Sequence, residues 1–71
     1  MAYLNLNAEI ARKGMTKEDL WKQLKSMGVE ISYQKLCRQL RGQAEISFGQ
    51  AGVMSKIFGK PVDYLFKKEV D

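Results

Sequence analysis

Apolar residues recur at intervals of three and four along most of this 71-residue chain, and glycines or a proline separate the apolar segments. Such intervals predict short amphipathic helices. No segment shows the alternation of apolar and polar residues that indicates a strand. The pattern therefore predicts an all-α domain, a compact bundle of five short helices near residues 4–13, 17–27, 32–41, 48–58 and 61–66.

Residues that favour helix starts stand before four of these segments. Thr16, Ser32 and Ser47 are N-cap candidates, and Pro61 suits the first turn of the fifth helix. Asp19 occupies the position where a capping box has Glu or Gln, so we expect only an approximate box at the second helix.

The fourth helix is predicted to turn five apolar side chains inward: Phe48, Ala51, Met54, Ile57 and Phe58. Gly49 and Gly52 weaken a helix by roughly 1 kcal/mol each relative to Ala. We therefore expect a neighbouring helix to approach closely at these two positions.

The third helix has the strongest contrast between its faces. Its predicted inner face carries Tyr33, Leu36, Cys37 and Leu40. Its outer face has amide and cationic side chains and no acid: Gln34, Lys35, Arg38, Gln39 and Arg41. Gln and Arg can make paired hydrogen bonds to base edges in the DNA major groove, and Lys and Arg can neutralise phosphates. The pattern is typical of a DNA recognition helix, and also of an ordinary solvated helix surface.

Composition narrows the function classes. The net charge of +4 mildly favours an anionic partner. One Cys and no His leave no intrachain disulfide, no Cys/His zinc motif and no His-activated nucleophile, so we expect neither an enzyme nor a metal or other cofactor. No apolar run approaches the ~20 residues that cross a membrane. The unpaired Cys suits a cytoplasmic protein, and no small-molecule ligand is indicated.

Three stretches resemble, in their order and spacing, the lambda-repressor-like (Cro-type) helix-turn-helix family. They are RKGMTKEDL at 12–20, LCRQLRG at 36–42 and IFGKPVDYLF at 57–66. The resemblance implies a DNA-binding domain over residues 1–66, with a C-terminal tail at 67–71. It also implies a sequence-specific double-stranded DNA-binding protein, a transcriptional regulator of the phage-repressor type, whose third helix lies in the major groove.

The chain departs from that family in two places. The span from Leu20 to Gly42 is about five residues longer than in that family, so either the second helix or the turn after it, usually three or four residues, is longer. Many relatives also pair a buried Arg in the first helix with a Glu in the third, and the best-matched positions here carry Ile10 and Leu40. An apolar contact can replace such an ion pair without loss of stability.

The resemblance assigns roles to residues on and beside the third helix. Gln34, Lys35 and Arg38 are expected at base edges. Thr16 and Lys17, at the start of the second helix, and Arg41 and Gln43 are expected at phosphates. The full set of expected DNA-contacting residues adds three that also have structural roles: Ser32 as a cap, Tyr33 as a partly buried side chain, and Gln39, which a change of register would turn inward.

Tight binding by so small a module usually needs two copies on two half-sites. We therefore expect a possible homodimer, through an apolar patch comprising Tyr64, Phe66 and Val70. An alternative remains open: a protein-interaction module on the same scaffold, antitoxin-like or a phage protein that binds a host protein. The longer connection favours it, because that connection can alter how the third helix docks in a groove.

Overall fold

The computed structural model describes residues 3–67, and over this range the predicted all-α architecture is confirmed. Each helix bound lies within one residue of its predicted position. The helices are α1 Leu4–Arg12, α2 Lys17–Ser26, α3 Tyr33–Leu40, α4 Phe48–Phe58 and α5 Val62–Leu65. Of the predicted tail, only Lys67 lies among the described residues. None of these five helices is long and apolar enough to cross a membrane.

All five helices contribute apolar side chains to the core, which contains leucines from α1, α2, α3 and α5 and no leucine from α4. Ile10 and Leu40, the positions that the resemblance matches to an ion pair, are both buried in this core. Burying one such side chain contributes roughly 1.5–3 kcal/mol, so a few fully buried residues dominate the stability of a small domain. The largest of them are Leu6, Leu20, Leu24, Leu36, Leu40, Met54 and Leu65.

A buried carboxylate connects the first helix to the last. Glu9 is 3% exposed, and its Oε2 accepts hydrogen bonds from Arg12 Nη1 at 2.8 Å and from the Tyr64 hydroxyl at 3.0 Å. Asn5 reinforces the contact, because its Nδ2 donates to the Tyr64 carbonyl at 2.8 Å. A buried charge is tolerated only when it is paired and hydrogen-bonded, so these contacts hold α1 against α5.

The start of α2 carries a complete capping box, and the expectation of an approximate one is wrong. Thr16 Oγ1 accepts from the Asp19 amide at 3.0 Å, while Asp19 Oδ2 accepts from the Thr16 amide at 3.0 Å. The shorter Asp side chain therefore makes the same reciprocal bonds that Glu makes in the usual box. Ser32 and Ser47 cap α3 and α4 as predicted.

One prediction for the inner face of α4 is wrong. Phe48 is 91% exposed, whereas Gln50 is only 3% exposed. Two residues correspond to about 200° around a helix, so the two side chains lie on nearly opposite sides. The other expected side chains are buried: Ala51, Met54, Ile57 and Phe58.

The glycines of α4 do not mark a close approach of another helix, so that expectation is also wrong. A Cβ atom built at Gly49 or Gly52 would meet no heavy atom within 4 Å. Gly59, in contrast, is the C-cap of α4 with φ 64°, a left-handed conformation that suits glycine.

The capping box predicts a dependence of stability on pH. The Thr16 backbone amide, which donates to the Asp19 carboxylate, lowers the pKa of Asp19 below its ordinary value. A lowered folded-state pKa means that ionised Asp19 stabilises the fold above the ordinary carboxyl pKa, and that this contribution is lost as the pH falls through the lowered value. Asp19→Asn should lower the Tm at neutral pH and flatten its decline in acid.

Thermal unfolding, followed by circular dichroism over a pH series, measures both effects. Glu30→Gln, an exposed substitution in the turn before α3, is the control and should leave the curve unchanged. A Tm curve for Asp19→Asn that runs parallel to the wild-type curve into acid would contradict the assignment.

The open space around Gly52 predicts a stabilising substitution. Gly52→Ala should raise the free energy of unfolding by roughly 0.5–1 kcal/mol, because Ala loses less backbone entropy in a helix. The same substitution at Gly59, where φ is positive, should lower it. Urea unfolding of both variants tests the pair, and equal effects at the two sites would refute this account.

Candidate nucleic-acid interface

The outward side of α3 is a line of exposed donors. Gln34, Arg38 and the C-cap residue Arg41 are exposed and follow one another at intervals of four and three residues, so they lie along one side of the helix. Lys35 is also exposed, about 100° around the helix from Gln34. The predicted exposure of all four is confirmed. We call Gln34, Arg38 and Arg41 the α3 stripe.

The cations on this face have no acidic partner. In the part of the chain from residue 3 to 67, the two ion pairs lie on α1 and α2. Lys35, Arg38 and Arg41 therefore have no carboxylate oxygen within 4.0 Å there. Their charges are available to an external anion.

The buried face of α3 is rotated from the predicted one. Leu36, Gln39 and Leu40 are buried, whereas Tyr33 is 39% exposed and Cys37 is only partly buried. At 100° per residue, this is a rotation of roughly 60°. Gln39 was expected to contact DNA, and at 1% exposure its side chain cannot reach a groove. That expectation is wrong, as is the placement of Tyr33 on the core face.

The buried Gln39 side chain meets a second buried amide on α4. Gln50 Nε2 donates to Gln39 Oε1 at 2.6 Å, and Gln39 Nε2 donates to Gln50 Oε1 at 3.1 Å. Gln39 Nε2 also donates to the Glu45 carbonyl at 2.8 Å. Burial of an amide without hydrogen-bond partners is costly, and here each amide supplies the other. Sequence analysis missed Gln50, although a Gln near the apolar stripe of α4 is a signal of a buried polar contact.

Tyr33 lies between the α3 stripe and α2. Its ring packs edge-on against Trp21, with centroids 5.9 Å apart, and the Lys25 ammonium lies 4.7 Å from the Trp21 ring centroid. A hydrogen bond with the Cys37 thiol raises the pKa of the Tyr33 hydroxyl above its ordinary value. A Tyr hydroxyl with a raised pKa is neutral at physiological pH.

Two further residues expected to contact DNA flank α3: Ser32 is its N-cap, and Gln43 follows its C-cap. Ser32 Oγ accepts from the Lys35 amide at 3.1 Å, and its own hydroxyl proton can still be donated. Gln43 is exposed, and its backbone N–H donates to the Arg38 backbone carbonyl at 2.8 Å. This bond keeps the chain beside α3 as it leaves the helix, so Ser32 and Gln43 bracket the stripe.

The start of α2 is less suited to an anion than predicted from the resemblance. Thr16 and Lys17 are exposed, but the first turn also carries Glu18 and Asp19. These carboxylates complement the positive end of the helix dipole, which would otherwise attract a phosphate. At the start of α2, Lys17 is therefore the side chain whose positive charge can bind a phosphate.

The longer connection between α2 and α3 is held in place by hydrogen bonds. It comprises residues 27–32, six residues against the usual three or four. The Val29 amide donates to the Leu24 carbonyl at 2.9 Å, and Trp21 Nε1 donates to the Ile31 carbonyl at 2.8 Å. The extra length thus folds back on α2, and α3 still packs against α2.

A second surface contains no residue of α3. This surface, the Phe48 groove, encloses about 320 Å³ and has no charged lining residue; it is lined by Tyr3, Ile46, Phe48, Ala51, Val62 and Phe66. Of the expected dimer patch, Phe66 lines this groove and Tyr64 does not. Phe66 packs edge-on against Tyr3 in the groove wall, but the Tyr64 hydroxyl is bonded to Glu9. Val70 lies outside the described residues.

No group of three His, Cys, Asp or Glu side chains between residues 3 and 67 is arranged to hold a metal ion. A scan against protein-family models and searches of curated proteins and of solved structures found no match to this chain. The α3 stripe and its surroundings are therefore the features from which a function can be inferred.

Proposed function

We propose that this protein binds double-stranded DNA sequence-specifically, with α3 in the major groove, as a transcriptional regulator of the phage-repressor type. The observation that carries the proposal is the α3 stripe. Three exposed hydrogen-bonding side chains lie opposite the buried face of a short helix, and its cations lack acidic partners among residues 3–67. An α-helix of this kind fits the width of the major groove.

The stripe supplies both kinds of contact that groove recognition needs. The Gln34 amide can bind adenine through paired hydrogen bonds, and the Arg38 guanidinium can bind guanine in the same way. Lys35 and Arg41 add positive charge for phosphates on either side. The remaining side chains proposed to contact the backbone are Lys17, Ser32, Tyr33 and Gln43, with Thr16 acting mainly as the cap of α2.

The resemblance to the lambda-repressor-like family at residues 12–20, 36–42 and 57–66 supports this function. In that family the N-terminal part of the third helix enters the groove, and here that part begins with Gln34 and Lys35. The six-residue connection favours a second candidate, a protein-interaction module that presents the basic α3 face to an acidic protein.

Selection from a random double-stranded DNA library at about 150 mM salt separates these candidates. Enrichment of a motif is the expected outcome, and its affinity should fall steeply with salt, because bound phosphates release counterions. Retention without enrichment would mean non-specific electrostatic binding. No retention would refute the proposal in favour of the interaction module.

A pair of matched variants tests the α3 stripe. Arg38→Ala should weaken binding to the selected site by roughly 10- to 100-fold and relax the preference at one base pair. Lys56→Ala removes the same charge from the exposed side of α4 and should have a much smaller effect. Equal losses in the two variants, measured by fluorescence anisotropy, would count against base reading by Arg38.

The Phe48 groove is a candidate binding surface for a second copy of the chain. We propose that Phe48 of each copy enters the groove of the other, because a protruding aromatic ring and an apolar groove on one face form a self-complementary interface. The uncharged lining lets two chains of net charge +4 approach. Such a dimer leaves the α3 stripes uncovered for two half-sites.

Phe48→Glu tests this arrangement by sedimentation equilibrium. It should reduce the wild-type dimer to a monomer without changing the helical content, since the Phe48 ring is 91% exposed and contributes little to the core. Met27→Glu, at an exposed apolar residue in the α2–α3 connection, is the control and should leave the mass unchanged. A wild-type protein that stays monomeric on DNA with two half-sites would rule out the interface.

A further inference from the structure

We propose that the buried Gln39–Gln50 amide pair selects the rotation of α3 about its own axis, and so determines which side chains that helix turns outward. The consequence for DNA reading rests on the proposed function. The rotation itself does not, because it is a property of the fold. Gln39 and Gln50 are therefore positioning residues.

The apolar pattern of α3 is compatible with two rotations. In the rotation that the pattern alone favours, Tyr33 and Cys37 turn inward beside the two leucines. In the observed rotation they lie at the edge, and Gln39 is buried instead. Leu36 and Leu40 are buried in both. The two states therefore share their largest hydrophobic contribution, and the leucines do not discriminate between them.

The amide pair does discriminate. Turning α3 by roughly 60° would carry Gln39 toward solvent. Gln50, at 3% exposure, would then lose the hydrogen bonds that its amide now makes at 2.6 and 3.1 Å. The Glu45 carbonyl would also lose its donor. A buried amide without partners is costly, so the pair penalises the alternative, as a single buried Asn fixes register in a coiled coil.

The choice of rotation changes the outward surface. In the observed rotation, the α3 stripe lies directly opposite the buried residues. After a turn of roughly 60°, Lys35 and Gln39 would join Arg38 on the outward side, while Arg41 would turn to the flank. The two rotations thus present different donors to a groove, and Gln39 and Gln50 affect DNA specificity without contacting DNA.

Cys37, the single cysteine, reports the rotation directly because it is partly buried now and would turn inward. The test variant is Gln50→Met, which keeps side-chain length and leaves the Gln39 amide without its partner on α4 in the observed rotation, so that turning Gln39 toward solvent is favoured. Reaction of the folded protein with a thiol reagent should slow severalfold relative to wild type. Gln23→Met, the same change at an exposed site on α2, should react at the wild-type rate.

A folded Gln50→Met variant whose Cys37 reacts at the wild-type rate or faster would overturn the proposal. Circular dichroism establishes the folded state. A measurement on the wild-type protein covers the case in which the variant does not fold. By NMR, the side-chain amide protons of Gln39 and Gln50 should exchange with solvent at least about tenfold more slowly than those of Gln23. Equal exchange rates would show that no persistent pair exists and would also overturn it.

The DNA library selection, repeated with Gln50→Met, tests the consequence for specificity. A changed motif together with slowed Cys37 labelling is expected. An unchanged motif with slowed labelling would overturn the assignment of Gln39 and Gln50 to DNA specificity. If the wild-type protein selects no DNA at all, the proposed function fails, and Cys37 labelling still decides whether the pair selects the rotation.

Discussion

The reciprocal hydrogen bonds between Gln39 and Gln50 are the constraint on which the outward surface of this protein depends. They bury two amides at the contact of α3 with α4 and leave neither without a partner. A helix of eight residues is too short to fix its own orientation, because most of its stability comes from packing rather than from its own hydrogen bonds. We therefore attribute the orientation of α3 to its directional hydrogen bonds, because leucine burial is nondirectional and is compatible with more than one orientation.

A similar polar contact holds the two ends of the chain together. Glu9 is buried, and its Oε2 accepts hydrogen bonds from Arg12 on the same helix and from Tyr64 on α5. Asn7 extends the connection to the end of α3, through its Nδ2 bond to the Leu40 carbonyl at 3.2 Å. The small leucine core is thus surrounded by hydrogen bonds that fix the relative positions of α1, α3 and α5.

The polar and apolar surfaces of the molecule are separate. The α3 stripe consists of exposed amide and cationic side chains, while the Phe48 groove is formed by α4, α5 and neighbouring residues and has no charged lining. This separation suits a protein that binds an anion with one face and a copy of itself with another.

The sequence by itself determined the helices of this protein. Helix ends follow from local chemistry, and the caps at Thr16, Ser32 and Ser47 place them within one residue. The exposed stripe was also predictable, because Gln34, Arg38 and Arg41 follow one another at helical spacing with no apolar residue among them. Only the tertiary structure decided that Gln39 is buried and that Phe48 is exposed. Burial of an amide depends on a partner eleven residues away on another helix, and helical periodicity carries no information about such a partner.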